Sequence, residues 1–336
     1  MRALQCVKPG SLVVIDRPEP AAGPGEVLVR IRRAGVCGTD LHIFEGSHPY
    51  LAYPRVIGHE LSGEIAATGP GCAMAPGQQV YLIPYLACGA CVACRRGKTN
   101  CCQHIGVLGV HVDGGMAEYI CVPERNVAAA DGVTLDQAAM VEFLAIGAHA
   151  VRRADPRPTD RVLVVGAGPI GIGCILFAKL RGASVTVLDK RQDRLGFCRQ
   201  KLAVDHVVSA DKEAPAALSR LTDGDFFDVV IDATGSATPM MAGFGYVAHG
   251  GTYVLVSVVR DTISFDDAEF HKRETTLLAS RNATPEDFLT VFRAMRDGRV
   301  PTDALVTHRA TLEQAPDRFP FWITPDAGVI KAIIEI

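Results

Sequence analysis

Four cysteines stand at positions 88, 91, 94 and 102, inside "ACGACVACRRGKTNCC". Two successive two-residue spacers and one of seven let a short loop close four thiolates around a tetrahedral ion, each sulfur about 2.3 Å from it. Gly89, Gly97, Ala90 and Ala93 allow the tight turns that this wrapping needs. Four ligands fill zinc's coordination sphere, so Cys88, Cys91, Cys94 and Cys102 predict a structural zinc site with no open position. Cys101 is a bystander, because its use would shorten the last spacer. The chain has 11 cysteines, an odd number, and their clustering points to thiolate ligands and not to a disulfide framework. Chemistry also gathers in "YPRVIGHELSGEI", residues 53–65, where His59 and Glu60 are neighbours. Neighbours on a regular strand point to opposite faces. The pair therefore offers two ligands to one ion if Gly58 makes the chain irregular, and one if it does not.

A third group of residues binds instead of reacting. "RVLVV" at 161–165 is a short apolar run of the kind expected for a parallel strand buried on both faces. Gly166, Gly168, Pro169, Ile170 and Gly171 follow, then a helical pattern to Gly182 and a second strand, "SVTVL", ending at Asp189. This is a dinucleotide-binding fingerprint: the glycines permit a tight turn and bring a pyrophosphate to a helix N-terminus, whose free amides hold it. Asp189, 18 residues past the last glycine, is spaced to take ribose hydroxyls and to repel a 2′-phosphate, which favours NAD over NADP. Lys190 and Arg191 could pair with such a phosphate, or simply form a solvated helix start. Arg194 and Thr234 complete the expected cofactor-binding set.

The elements that must carry these residues follow from the remaining pattern. Apolar runs near 206, at 227–235, 250–258 and 275–280 alternate with helical stretches, which predicts a doubly wound parallel sheet. "TPEDFLTVFRAMRDG" predicts a helix capped by Thr284 with Pro285 in its first turn and Gly298 as its stop; Phe288, Leu289, Phe292 and Met295 are expected in the core. Short glycine- and proline-punctuated strands in the first 140 residues predict a β-rich, barrel-like unit. The 336-residue length suits about two domains, and a net charge of −3 argues against a nucleic-acid or polyanion binder. No leader-like N-terminus and no 18-residue apolar stretch is present, so a soluble, cytoplasmic protein is expected.

"GVCGTDLH" at 35–42, "GHELSG" at 58–63, the cysteine lobe, "DGGMAEY" at 113–119, Glu142 and "VGAGPIG" at 165–171 together resemble the zinc-dependent medium-chain alcohol and polyol dehydrogenases, along essentially the whole chain. The resemblance implies an α/β protein with a Rossmann domain at 146–282. Around it would stand a GroES-like catalytic domain made of 1–145 and 283–336, with the zinc lobe at about 86–103. It also implies that Cys37 and His59 bind a catalytic zinc. The segment "VEFLAIGAHA" lacks the second cysteine of alcohol dehydrogenases, and Cys174 is no substitute, so the sequence is similar to the polyol, threonine and sugar-acid branch. In that branch the glutamate after the histidine, here Glu60, coordinates zinc, and one like Glu142 approaches it directly or through water. Phe143 stands where the family has proline, which implies an altered local backbone beside Glu142.

An open position on such a zinc would lower the pKa of a secondary hydroxyl while hydride leaves for the nicotinamide. Thr39 is the implied proton relay, with His42 or a water held by Glu142 as the alternative; His42 also fits a hydrogen-bonded loop residue. Within the branch, "YPRVIGHE", "RGKTNCC", "VLGVHVDGG" and "FHKRETTLLASRNATPEDF" are most similar to enzymes acting at C5 of the sugar acids L-galactonate or L-gulonate. Arg281, with Asn282, is then the expected carboxylate binder, ahead of Arg55 and Lys272, unless Arg281 is a surface or inter-subunit residue. The other functions that fit are dehydrogenation of a neutral polyol of the sorbitol type, of a polyol phosphate or of threonine, and a non-catalytic nucleotide-binding relative. The family forms homodimers or homotetramers, and "GGTYVLVSV" and "TTLLAS" are apolar enough to pair at a sheet edge. Pro316 and Pro320 predict a short or irregular C-terminal helix.

Overall fold

"RVLVV", "SVTVL" and "FDVVID" are β-branched and apolar, as strands covered on both faces must be. The computed structural model of the chain, which describes residues 1–48 and 51–336, sets them side by side as parallel strands. Its contacts divide the chain into two units, Met1–Phe143 with Thr284–Ile336, and Leu144–Ala283.

In the second unit the strands run His206–Ser209, Ser184–Asp189, Arg161–Val165, Phe227–Asp232, Val247–Leu255 and Thr276–Ala279 across one parallel sheet. Counted in chain order within this unit, the order is 3-2-1-4-5-6, the doubly wound arrangement whose crevice opens where the order reverses, beside the first strand. One expectation is corrected here. "GGTYVLVSV" is not an edge, because Val247–Leu255 is paired on both sides. Its Tyr253 and Val254 are fully buried, whereas Leu277 of the true edge strand, Thr276–Ala279, is 39% exposed. An apolar run alone does not separate an inner strand from an outer one; the direction of the crossovers does that.

In the first unit a mostly antiparallel sheet runs Val127–Ala129, Gln79–Leu82, Glu60–Thr68, Glu26–Val36, Lys331–Glu335 and Val306–Thr311, and Tyr119–Pro123 also pairs with Glu26–Val36. Val27, Val29, Ile31, Leu61, Ile65 and Ile334 pack into its core. The helix Pro285–Arg296 starts at Thr284, whose hydroxyl and backbone engage Asp287 in a capping box. Phe288, Phe292 and Met295 are buried as expected, but Leu289 is 41% exposed. Positions 288, 292 and 295 share one helical face, and 289 is turned about 100° away from it. The last helix, Ala315–Trp322, is 8 residues long with Pro316 in its first turn and Pro320 inside it. Among the described residues, no helix is long and apolar enough to cross a membrane.

Candidate active site

Gly58 has φ +98°, a conformation that disfavours any side chain, and a Cβ there would meet Met116 Cγ at 2.5 Å. The "DGGMAEY" segment lies against this bend: Gly114, Gly115 and Met116 donate their amides to the carbonyls of Val56, Gly58 and Ile57. The bend leaves His59 just outside the strand Glu60–Thr68 and makes Glu60 its first residue. Released from strand alternation, both side chains reach one place, and one ligand atom from each of Cys37, His59 and Glu60 lies within 4.8 Å of the others.

Several residues hold this group together. Cys37 is the N-cap of the helix Gly38–Glu45. Asp40, fully buried, accepts from the Cys37 amide at 2.9 Å and from the Gly58 amide at 3.1 Å, so one carboxylate ties the two loops that carry Cys37 and His59. Its Oδ1 is also 3.9 Å from His59 Nδ1. Gly35, opposite Glu60 in the ladder, gives the carboxylate room, since a Cβ there would sit 2.1 Å from Glu60 Oε2. Lys331 Nζ lies 2.6 Å from each oxygen of Glu60, with both side chains buried.

The electrostatics fit a cation. Burial alone would keep the His59 imidazole neutral, but the Asp40 carboxylate, the Cys37 sulfur and Glu142 outweigh it and push the group well above the ordinary histidine range. His59 Nδ1 is buried with no hydrogen-bond partner among the described residues. A thiolate, an imidazole and a carboxylate run from soft to hard, and zinc, a borderline ion, takes all three. Glu142, in the first turn of the helix Val141–Ala154, is outside the group of mutually close ligand atoms. Its Oε1 accepts from the hydroxyl of Tyr85. Burial pushes the Glu142 carboxyl up, against the pull of His59. Tyr85, also raised well above the usual phenol range by burial and then by Glu142, stays the donor.

The cysteine lobe is a separate, local construction. The antiparallel pair Tyr85–Leu86 and Gly106–Val107 brackets it. Within it one sulfur from each of Cys88, Cys91, Cys94 and Cys102 lies within 4.8 Å of the rest. Backbone amides point at the sulfurs: the amides of Cys94 and Gln103 pull the Cys91 thiol down to about 6. Those of Ala90 and Cys91 lower Cys88. Amides aimed at sulfur favour thiolate, the form that binds a metal, at these two positions, whereas burial and the neighbouring thiols push Cys94 up to about 12.

The glycine-rich turn forms the third feature. Gly168 is the N-cap of the helix Pro169–Leu180, and a Cβ there would meet nothing within 4 Å, which leaves an open approach for a phosphate. At Gly171 a Cβ would fall 1.8 Å from the Gly166 carbonyl oxygen, so this glycine lets the turn close. Ile170 lies in the helix's first turn. Asp189 accepts from the Ala167 amide at 2.6 Å and the Arg191 amide at 2.8 Å, which fixes its carboxylate beside the turn. The Arg191 guanidinium is engaged by Asp193 at 2.6 Å. Arg194 is buried in the following helix, and Thr234 donates to Asp232 at 2.8 Å past the fourth strand of this sheet.

The remaining candidates are more dispersed. Thr39 is half-buried in the first turn of the helix Gly38–Glu45, and His42 is 62% exposed with Nδ1 3.3 Å from Glu45. Arg281 is exposed and Asn282 has φ +52°, just after the strand Thr276–Ala279. Arg55 pairs with Asp113 at 3.2 Å and Lys272 with Glu269 at 3.4 Å. Sequence reasoning missed Asp40, Tyr85 and Lys331. Lys331 left a signal, a lysine inside the apolar run "GVIKAIIE".

A Rossmann sheet and a GroES-like unit with these two ligand clusters define a class, and the chain belongs to the zinc-type medium-chain alcohol dehydrogenases. Residues 23–132 match the alcohol dehydrogenase GroES-like domain and residues 169–297 the zinc-binding dehydrogenase family. Among its relatives is the L-galactonate-5-dehydrogenase of Escherichia coli K12, 45% identical over 335 residues, which are 99% of this chain and 98% of that one. The L-threonine 3-dehydrogenase of Pyrococcus horikoshii is 31% identical over 92% of this chain and 91% of its own. Among solved structures, the short chain alcohol dehydrogenase rspB of E. coli CFT073, complexed with cofactor NADH, superposes with a TM-score of 0.94 at 29% identity, covering 100% of this chain and 99% of that one.

Proposed function

We propose that this zinc-type dehydrogenase oxidises the C5 hydroxyl of a sugar acid, L-galactonate or L-gulonate, with NAD as hydride acceptor. The observation that carries the reading is the Cys37–His59–Glu60 group in a chain 45% identical, over nearly its full length, to an L-galactonate-5-dehydrogenase. In this reading Cys37, His59 and Glu60 hold the catalytic zinc, and Cys88, Cys91, Cys94 and Cys102 hold a second, structural one. When bound, the catalytic zinc supplies Lewis acidity to the substrate oxygen. The Thr39 hydroxyl would accept the substrate's hydroxyl proton while giving up its own, and NAD, when bound, would supply the hydride acceptor. His42, 62% exposed one turn further along the helix, or a water held by Glu142, is the alternative relay. Glu142, held by Tyr85, orients the substrate or a water from outside the ligand group.

NAD is favoured over NADP because the Asp189 carboxylate is fixed beside the glycine turn and Arg191 is committed to Asp193. Gly166, Gly168, Pro169, Ile170, Gly171, Arg194 and Thr234 complete that cofactor site. Arg281 and Asn282 follow the C-terminal end of a parallel strand, where open α/β sheets bind their ligands, which supports them as the carboxylate binders. A homo-oligomer formed along the edge strand Thr276–Ala279 fits its half-exposed apolar residues. The test is a panel of L-galactonate, L-gulonate, sorbitol, a polyol phosphate and L-threonine, each with NAD and with NADP. The expected result is the highest kcat/KM for a sugar acid with NAD; a higher value for a neutral polyol or threonine would overturn the assignment.

A further inference from the structure

Lys331 is a cation buried among apolar neighbours, 1% exposed in the strand Lys331–Glu335. Its Nζ is 2.6 Å from both oxygens of Glu60 and 3.2 Å from the Val36 carbonyl, which engages all three of its N–H donors. The face of Phe143 covers the remaining side, with Nζ 4.2 Å from the ring centre. Phe143 directly follows Glu142, so the residue standing where the family has proline supplies the seat for Lys331. Each Glu60 oxygen keeps a further lone pair, and one of these oxygens lies within 4.8 Å of the Cys37 and His59 ligand atoms.

We propose that Lys331, seated on Phe143, is a positioning residue that shares the Glu60 carboxylate with the catalytic metal and makes Glu60 a releasable ligand. The ammonium draws on the same carboxylate charge that a divalent ion would use, and it repels that ion across a few ångströms of low-dielectric interior. Removing it leaves an unshared buried carboxylate, which binds the metal more tightly. The inference rests on the proposed reading that Cys37, His59 and Glu60 hold zinc.

The test measures zinc release to a chelator and the visible spectrum of the cobalt(II)-substituted protein, neither of which depends on turnover. In Lys331→Met the more labile zinc should leave about tenfold more slowly than in the parent, because a repelling charge is gone. The cobalt bands should shift, while release from the cysteine lobe stays unchanged. Phe143→Leu takes away the face on which the ammonium is seated and so loosens its hold on Glu60, which should slow release about threefold. Release rates and cobalt bands equal to the parent's in either folded variant would overturn the inference, and if Lys331→Met does not fold, Phe143→Leu decides alone. A parent that binds a single zinc per chain would overturn the metal reading itself, and this inference with it.

Discussion

The first unit carries two places fit for a metal, and they are built in opposite ways. The lobe takes four thiols from one short stretch, Cys88 to Cys102, and leaves Cys88 exposed. The group at Cys37, His59 and Glu60 is buried at its histidine and glutamate and draws on distant segments: Asp40 behind it, Gly35 beside it, and Lys331 on the far side of a strand ladder. In the lobe, backbone amides of the same loop favour the metal-binding form of the Cys88 and Cys91 sulfurs. At the buried group the support comes from side chains that also compete for the ligands. A closed set of four thiolates suits an ion that stays; a mixed set with a shared carboxylate suits an ion that must accept and release an oxygen.

That contrast breaks most sharply if one cysteine is removed from each place. Cys37→Ser should lower kcat/KM by roughly a thousandfold and take the metal content from two zincs to one, with the melting temperature nearly unchanged. Cys91→Ser should also cost one zinc, but its main effect should be on stability, a fall in Tm of roughly 5–10 °C by calorimetry. Equal losses of activity in the two variants would erase the distinction between them.

Smaller changes sharpen it. Gly35→Ala puts a methyl group 2.1 Å from Glu60 Oε2, so the carboxylate must move. Zinc affinity at the buried group should fall roughly 10- to 100-fold while lobe zinc is untouched, as read by competition with a chromogenic chelator. Asp40→Asn can satisfy one of the two amides at Cys37 and Gly58 but not both. A fall in kcat of about tenfold, with lobe zinc retained, is expected.

The smallest effect belongs to the sheet under the site. Asp136 accepts from Arg33 at 2.8 Å and also from Arg309. Burial opposes its ionised form, yet the guanidiniums of Arg309 and Arg33 prevail and hold the carboxyl below the usual range. Because the folded pKa lies below the unfolded one, this stabilisation is complete at neutral pH and is lost as pH falls from about 3.9 through the folded value. Asp136→Asn should therefore cost about 0.5–1 kcal/mol in urea unfolding at pH 7 and converge on the parent in acid. An equal cost at both pH values would rule out the ionic origin.

What could be read from the sequence follows the same divide. The lobe and the glycine turn are local, so spacing alone was enough to pick out the cluster Cys88 to Cys102 and the strand–turn–helix at Gly166 to Gly171. The irregular entry to the strand at Glu60 was foreshadowed by Gly58, whose φ of +98° makes the bend. What Asp40, Tyr85 and Lys331 do depends on partners brought together by folding, so even the lysine that stands out in an apolar run did not reveal its role; Lys331 and Glu60 lie 271 positions apart. Leu289 misled for a different reason, since being apolar and helical does not put a residue on the buried face. The inner position of Val247–Leu255 likewise came from the crossovers and not from its own composition.

The place of the strand Lys331–Glu335 in its sheet has a consequence for synthesis. It lies between Glu26–Val36 and Val306–Thr311, and its lysine bonds a carbonyl 295 residues upstream. During translation, at roughly 5–20 residues per second, Glu26–Val36 and Glu60 wait without this neighbour while the whole Rossmann unit is made. The lobe needs no such delay. A newborn chain can thus take up its first zinc early and hold the catalytic place unfinished almost to the end, so a truncation at residue 330 should leave the early site intact and the late one unassembled.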